Sequence, residues 1–472
     1  MSITLYTPAT GFPDLEVKIA YGLARVGVEA FGMEKVTIRD NGGFYSILIN
    51  VDETEFPKLD STFNMLCKRL LSSEFIPSNT PGIGSRSAKS INVKENESFS
   101  LEIYKSMEFL SENKSNENTC RHKHSSVGNI IGLTASTSFH NRRDGLDIQS
   151  QSMNPKDKTS PKVPRRPTNP KNICKTCALL AILGMWYASF IFNIKGKEII
   201  ALPVPEGEVS DTRLQQIFSL HHQIRKSWFN LEIPQTLIPL IFLANVPSSA
   251  DILKQFDLFI AVLSRQQGYH VDGLYLMPIE KYLSFLSDNP FNIAAIDLMV
   301  EKEAFSALQE LNNIIYYDKQ DSIMMFARLY VQETSTNNFT NLLYPKTAKY
   351  LLKEVAMISQ DIIENRALES LARTLRYFII EKKYGYADDI RNARKESRDF
   401  EETIAKMLRE GRLRLEQKEK IHLPTDEEIK EVFRLANQDF EATKTTLVIL
   451  AFSFPSASQK PEEVITEEVS NA

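Results

Sequence analysis

Four residues have the types and spacing for metal chemistry. Cys174 and Cys177 stand as Cys-x-x-Cys, and Cys120 and His124 lie upstream in Cys120-Arg-His122-Lys-His124. Two thiols on one turn supply half of a tetrahedral zinc site, and the other half must come from a second cluster. Closing Cys120, His124, Cys174 and Cys177 on one zinc ion would give the metal a structural job, fastening both ends of the intervening segment to the body. Two inert thiols are the alternative, and a redox pair fits least because no βαβ pattern surrounds it. Cys67, alone on a helical face, reads as core.

The elements that must hold the pair follow it directly. Cys177–Ile194 carries no formal charge and is flanked by lysines, which meets the lower limit of a membrane span. Ser189 and Asn193 interrupt it, and Trp186, Tyr187, Phe190, Ile191 and Phe192 favour a strand. With Lys195-Gly196-Lys197 as a turn and Ile199–Val204 as antiparallel partner, the sequence predicts a short buried helix and then a hairpin, in preference to a membrane span.

Upstream, the chain opens with a strand at Ser2–Pro8, a helix capped by Asp14 and running to about Ala30, and strands Val36–Arg39 and Phe44–Val51 around Asn41-Gly42-Gly43. Phe63–Leu71 is a further helix. Downstream, Arg213–Trp228 reads as helix, Thr236–Ala244 and Phe256–Leu263 as buried apolar elements, and Gly268–Pro278 as strand. From Tyr344 the pattern is helical, with Thr425 and Glu428 forming a capping signature before the last helix. The fold class expected is α+β: residues 1–110 an N-terminal α/β part, 111–173 a polar basic insertion, 174–343 a continuation of the N-terminal domain with the core hairpin, 344–454 a helical bundle, and 455–472 a disordered tail.

A net charge of −4 and a pI near 6.1 exclude a global basic field, so any nucleic-acid contact must come from local patches. The insertion holds the densest of them, with Arg142 and Arg143, then Lys156, Lys158, Lys162, Arg165, Arg166, Lys171 and Lys175 against Asp157 alone. A second patch lies on the helix 366–383, where Arg366, Arg373, Arg376 and Lys383 fall opposite Leu368, Leu371, Leu375, Phe378 and Ile379. That face is either solvated or a stripe that tracks phosphates. Pro81–Arg86 with Lys89 is either a flexible surface loop or a glycine loop that approaches a nucleic-acid backbone; it lacks the Gly-Lys-Ser/Thr ending of a Walker motif.

Tyr386-Ala-Asp388-Asp389 spells the catalytic tetrapeptide of reverse transcriptases. The charged helical sequence after it denies it the hairpin that magnesium chemistry needs. His221-His222 lack a Glu-x-x-His pattern, and no nucleophile elbow or dinucleotide-binding glycine motif occurs, so no enzyme is expected. A start without a basic-then-apolar leader, and four cysteines in an otherwise ordinary composition, point to a cytoplasmic protein.

The layout resembles the large subunit of type I CRISPR Cascade complexes, the Cas-eight family, within it the smaller type I-A-like and Myxococcus-like members. The resemblance rests on Leu5-Tyr-Thr-Pro8 with Ala20-Tyr-Gly-Leu-Ala-Arg25, on Cys174-x-x-Cys177 before an apolar run, on Lys195–Pro205, and on the helical C-terminal third. Family members often carry two Cys-x-x-Cys pairs, and here the first is present only as Cys120–His124. The resemblance implies a non-catalytic subunit that reads the protospacer-adjacent motif in duplex DNA and helps open it, sequence matching being left to the guide. It implies as partners crRNA, target double-stranded DNA, the backbone, crRNA 5′-handle and small subunits, and a helicase-nuclease or transposition proteins, with no membrane. Asn41, Arg86 and Lys89 are the residues expected near the motif.

Overall fold

The computed structural model describes residues 2–71, 91, 93, 97–107, 120, 130–132, 172–194, 197–220, 233–245, 256–265 and 269–455. The chain divides into two compact units, residues 1–235 with 245–280, and 236–244 with 281–472. Both helix and sheet are present, as expected, and the C-terminal region is helical. The helical unit already includes residues 281–343, which the sequence pattern had assigned to the N-terminal domain.

The first unit is built on two helices. After β1 (Ile3–Tyr6), α1 (Pro13–Phe31) leads to β2 (Val36–Asp40), β3 (Tyr45–Ile49) and α2 (Phe56–Leu71). The short strands β4 (Ile130–Gly132) and β5 (Asn172–Cys174) pair antiparallel, and α3 (Lys175–Ala188) follows at once. Then come β6 (Phe190–Ile194), β7 (Lys197–Pro205), β8 (Glu208–Ser210) and α4 (Asp211–Leu220). A second-unit helix, α5 (Ile238–Asn245), precedes β9 (Phe256–Arg265) and β10 (Tyr269–Pro278). One sheet has the order β1-β3-β2-β8 and the other β10-β9-β7-β6, antiparallel throughout.

The expected hairpin is present as the β6–β7 ladder, Phe190 opposite Ala201 and Ile194 opposite Lys197; its turn residues Lys195 and Gly196 lie outside the described residues. The helix before it runs to Ala188, so Trp186 and Tyr187 belong to its last turn and not to the strand. Leu179 through Met185 are buried on every side, so helical packing outweighs the β-preference of the aromatics. No helix among the described residues is long and apolar enough to cross a membrane, because the apolar run breaks at Ser189. Cys177–Ile194 is not one helix: it is helical to Ala188 and a strand from Phe190.

α1 crosses α3 with backbone touching backbone. A Cβ built on Gly184 would lie 1.7 Å from the Lys18 carbonyl oxygen, and one on Gly22 2.2 Å from that of Leu180. Only glycine at both positions lets the axes come so close. The crossing also encloses charge. Asp14 does not cap the helix as its sequence position predicts; it is fully buried, with Lys18 Nζ 3.2 Å away. Desolvation holds the Lys18 ammonium down, to about 8. No side chain caps α1; the Glu16 carboxylate instead reaches back to the segment before the helix, accepting from Thr10 N at 2.6 Å and Gly11 N at 3.0 Å.

After α5, the second unit continues with α6 (Glu280–Asp288), α7 (Pro290–Glu301), α8 (Phe305–Tyr317) and α9 (Ile323–Thr334). A single long helix expected over Thr347–Ile363 is instead α10 (Pro345–Tyr350), a π-turn at Leu351–Val355, and α11 (Gln360–Ile363), broken where Met357 takes a φ of +56°. Next come α12 (Arg366–Ile380), α13 (Gly385–Asn392), α14 (Asp399–Glu416), α15 (Asp426–Gln438) and α16 (Phe440–Ala451). The Thr425/Glu428 capping box is present. The last helix expected as one piece is two, divided at Asp439, whose side chain caps α16 by accepting from Ala442 N.

Gly184→Ala is expected to cost at least about 2 kcal/mol, because the new methyl meets a carbonyl that cannot retreat; urea unfolding of the two proteins measures it, and unchanged stability would contradict the close crossing. Burial pushes the Glu16 carboxyl up from 4.5 to about 7. Between those values the folded chain keeps a proton that the unfolded chain has released, so the stability contributed by Glu16 is fully present below pH 4.5 and is lost as pH rises through 7, an amount on the order of 3 kcal/mol. Glu16→Gln should flatten that slope in unfolding curves taken from pH 5 to 8.

Candidate metal centre

Cys174 ends β5 and is the N-cap residue of α3, and Cys177 is the third residue of that helix. The change from strand to helix at Lys175 turns both side chains to one side, against Cys120. The three sulfurs lie within 4.8 Å of one another, and all three residues are completely buried. A tetrahedral zinc with bonds of about 2.3 Å sets its sulfurs roughly 3.8 Å apart, so the cluster fits three corners of such a site. Of the upstream histidines, His124, expected as the fourth ligand, lies outside the described residues, as does His122.

Two backbone amides and one hydroxyl lie against the sulfurs. Cys174 N donates to Cys120 Sγ and Cys177 N to Cys174 Sγ, each at 3.3 Å, while Tyr104 Oη sits 3.0 Å from Cys177 Sγ. The Cys120 and Cys174 sulfurs thus each accept from a backbone amide, and the Cys174 sulfur also caps the positive end of a helix. Against this, burial pushes the Cys177 thiol well above its ordinary value, and sharing with Cys120 raises Cys174. Buried thiols of this kind do not ionise alone; a divalent cation would reverse that balance by supplying the missing charge. A metal ion bound there would offset most of the thiolate charge and cross-link the segments that carry it. Cys67, also buried, is not part of the cluster and is core, as its pattern predicts.

Tyr104 was not foreseen from sequence. It sits in a short 3₁₀ turn, Glu102–Lys105, and is fully buried; nothing in its neighbours marks it. Lys175, counted from sequence among the insertion's basic residues, is buried beneath an ion pair with Glu97 at 2.9 Å.

The residues expected to meet nucleic acid divide into three groups. Arg86, Lys89, Arg142, Arg143, Arg165 and Arg166 lie outside the described residues. Asn41 is at the exposed β2–β3 turn, where its amide donates to Ser46 Oγ at 3.0 Å and to the Arg39 carbonyl at 3.3 Å. On α12, Arg366 and Arg373 are exposed as expected, and so is Lys383, which falls past the end of the helix at Ile380 and not on it; Arg376 is not exposed. It is 5% exposed, donates to the Leu450 carbonyl at 2.6 Å and lies 3.6 Å from Glu369. The wheel placed it opposite the apolar face, and α16 packs over that side too. Arg373 is drawn to Glu369 at 3.3 Å, and Lys383 to Glu410 at 3.1 Å. The four-cation stripe is therefore corrected to three exposed cations, two of them in ion pairs.

The tetrapeptide Tyr386–Asp389 lies on α13, as its flanks predict. Asp388 sits 2.7 Å from Arg328 and 3.4 Å from Arg391, which engages it in ion pairs within the helical unit. His221 and His222 lie outside the described residues. The sequence matches no protein-family model and no curated protein.

Native protein purified without chelator is expected to carry about one zinc per chain and Cys174→Ser much less, read by elemental analysis. Equal zinc in the two would remove the metal from the account, and chelation should lower the melting temperature of the native protein only.

Proposed function

We propose that the chain is a non-catalytic large subunit of a crRNA-guided, type I CRISPR effector complex, acting on duplex DNA, with a structural zinc at Cys120, Cys174 and Cys177. The observation that carries the reading is the buried sulfur cluster at the head of α3. It joins the cysteine pair, the apolar helix and the β6–β7 ladder into one unit, and those are the features on which the family resemblance rests. The metal would hold the two ends of the basic insertion at a fixed place on the first unit. Phosphate contacts by Arg142, Arg143, Arg165 and Arg166 would then add to binding without base specificity. A turn such as Asn41-Gly42-Gly43, exposed and with Gly42 and Gly43 at φ of +71° and +122°, lets a backbone approach a groove closely.

A second reading, a zinc-stabilised scaffold without nucleic acid, is favoured by one finding. Of the expected basic stripe, Arg376 is lost to the interior, Arg373 is paired with a carboxylate, and Lys383 lies beyond the end of α12 and is paired as well.

Co-expression of the tagged chain with neighbouring genes separates the two readings. The first expects co-purified RNA of uniform length together with sister subunits, and retention of target DNA that falls steeply with salt. Sister proteins without RNA would leave the scaffold, and neither would end the first reading.

A further inference from the structure

The helical unit contains an open cavity of about 720 Å³ that the metal centre and the guide-complex reading do not use. Its walls come from α10, α12, the His422–Glu428 segment and the end of α16. Lys346, Lys349, Arg366 and Arg373 enter it from two helices, over an apolar floor that includes Leu352, Ile363 and Leu450.

The pairing of these charges leaves an excess. Lys349 is matched by Glu364 at 2.8 Å and Arg373 by Glu369 at 3.3 Å. The third acid, Glu428, is turned into the capping box, its carboxylate accepting from Thr425 N at 2.7 Å and keeping its charge, so the lining holds four cations against three carboxylates. Arg366 and Lys346 form no ion pair with the described residues; Lys346 Nζ lies only over the Phe291 ring, at 5.4 Å. Ser370 Oγ, 2.8 Å from His422 Nε2, adds a hydroxyl and an imidazole to the same wall. Because Arg376 turns inward, the cations do not run as a row along α12. They converge on one concavity, which suits a compact anion better than a strand followed along its length.

We propose that this cavity binds a phosphomonoester on an organic carrier. Two unmatched cations with a hydroxyl and an imidazole suit a dianionic phosphate, and charge-assisted hydrogen bonds from an arginine fork are the strong kind. Its volume falls within that of small-molecule sites and far exceeds what a bare phosphate fills, and the apolar floor gives the carrier a surface. This inference does not rest on the guide-complex reading, and either can fail without the other.

The test is calorimetric titration of the full-length chain with adenosine 5′-monophosphate, glucose 6-phosphate, inorganic phosphate and adenosine. A phosphorylated carrier should bind and adenosine should not, with inorganic phosphate weaker than the best ester. Arg366→Ala and Lys346→Ala, both at exposed positions and checked for native melting, should each weaken the ester by about tenfold or more. A short oligonucleotide with and without a 5′-phosphate separates a free metabolite from a strand end: dependence on the terminal phosphate supports the site. No binding of any ester, equal binding of adenosine, or native affinity in both variants would overturn it.

Discussion

The close crossing of α1 and α3 is the constraint from which the first unit follows. Two glycines, Gly22 and Gly184, bring main chain against main chain, and the helices then share one core in place of two separate faces. α3 is buried almost all round, and it starts at the cysteine pair and ends one residue before β6. Its position on α1 therefore sets where the sulfurs lie and where the second sheet begins. Tyr21 extends the same contact, its hydroxyl donating to the Pro203 carbonyl on β7 at 3.0 Å. Helix, sulfur cluster and sheet share a single reference point.

Such burial has a cost that the charges on α1 make visible. Asp14, Glu16 and Lys18 all lie within the first turn and a half of a helix with no free side. A buried ion pair rarely adds net stability over apolar residues of the same shape, but removing one partner leaves the other stranded. Asp14 and Lys18 are thus better understood as mutually dependent than as a source of strength. The strand-like segment before α1 is fixed in the same way, since Glu16 engages the amides of Thr10 and Gly11.

Much of this was readable in the residues. Alternation gave β2 and β3, the Thr425/Glu428 spacing gave the start of α15, and the Cys-x-x-Cys pair with Cys120 gave three sulfurs that lie together. What was not readable has physical causes. Trp186 and Tyr187 have β-preference, but the helix they end is held by packing on all sides, and packing outweighs propensity. Arg376 falls on the polar side of an ideal wheel, and only the path of α16 shows that this side is covered. Asp14 has the type and position of a cap, and only the arrival of Lys18 in the same buried place explains its other use. Tyr104 and the Gly22–Gly184 contact depend on residues far apart in sequence, where no local pattern points.

The β4–β5 ladder has one further consequence, for how this chain can change over generations. Gly132 and Asn172 are paired across a short ladder, and Cys120 meets Cys174 beside it, so residues 133–171 leave and return at a single anchored doorway. Closing a loop whose ends are already held costs little more when the loop grows, on the order of 0.6 kcal/mol for each doubling of length. A change in the length of chain between Gly132 and Asn172 therefore bears only weakly on the closure that holds those two residues together.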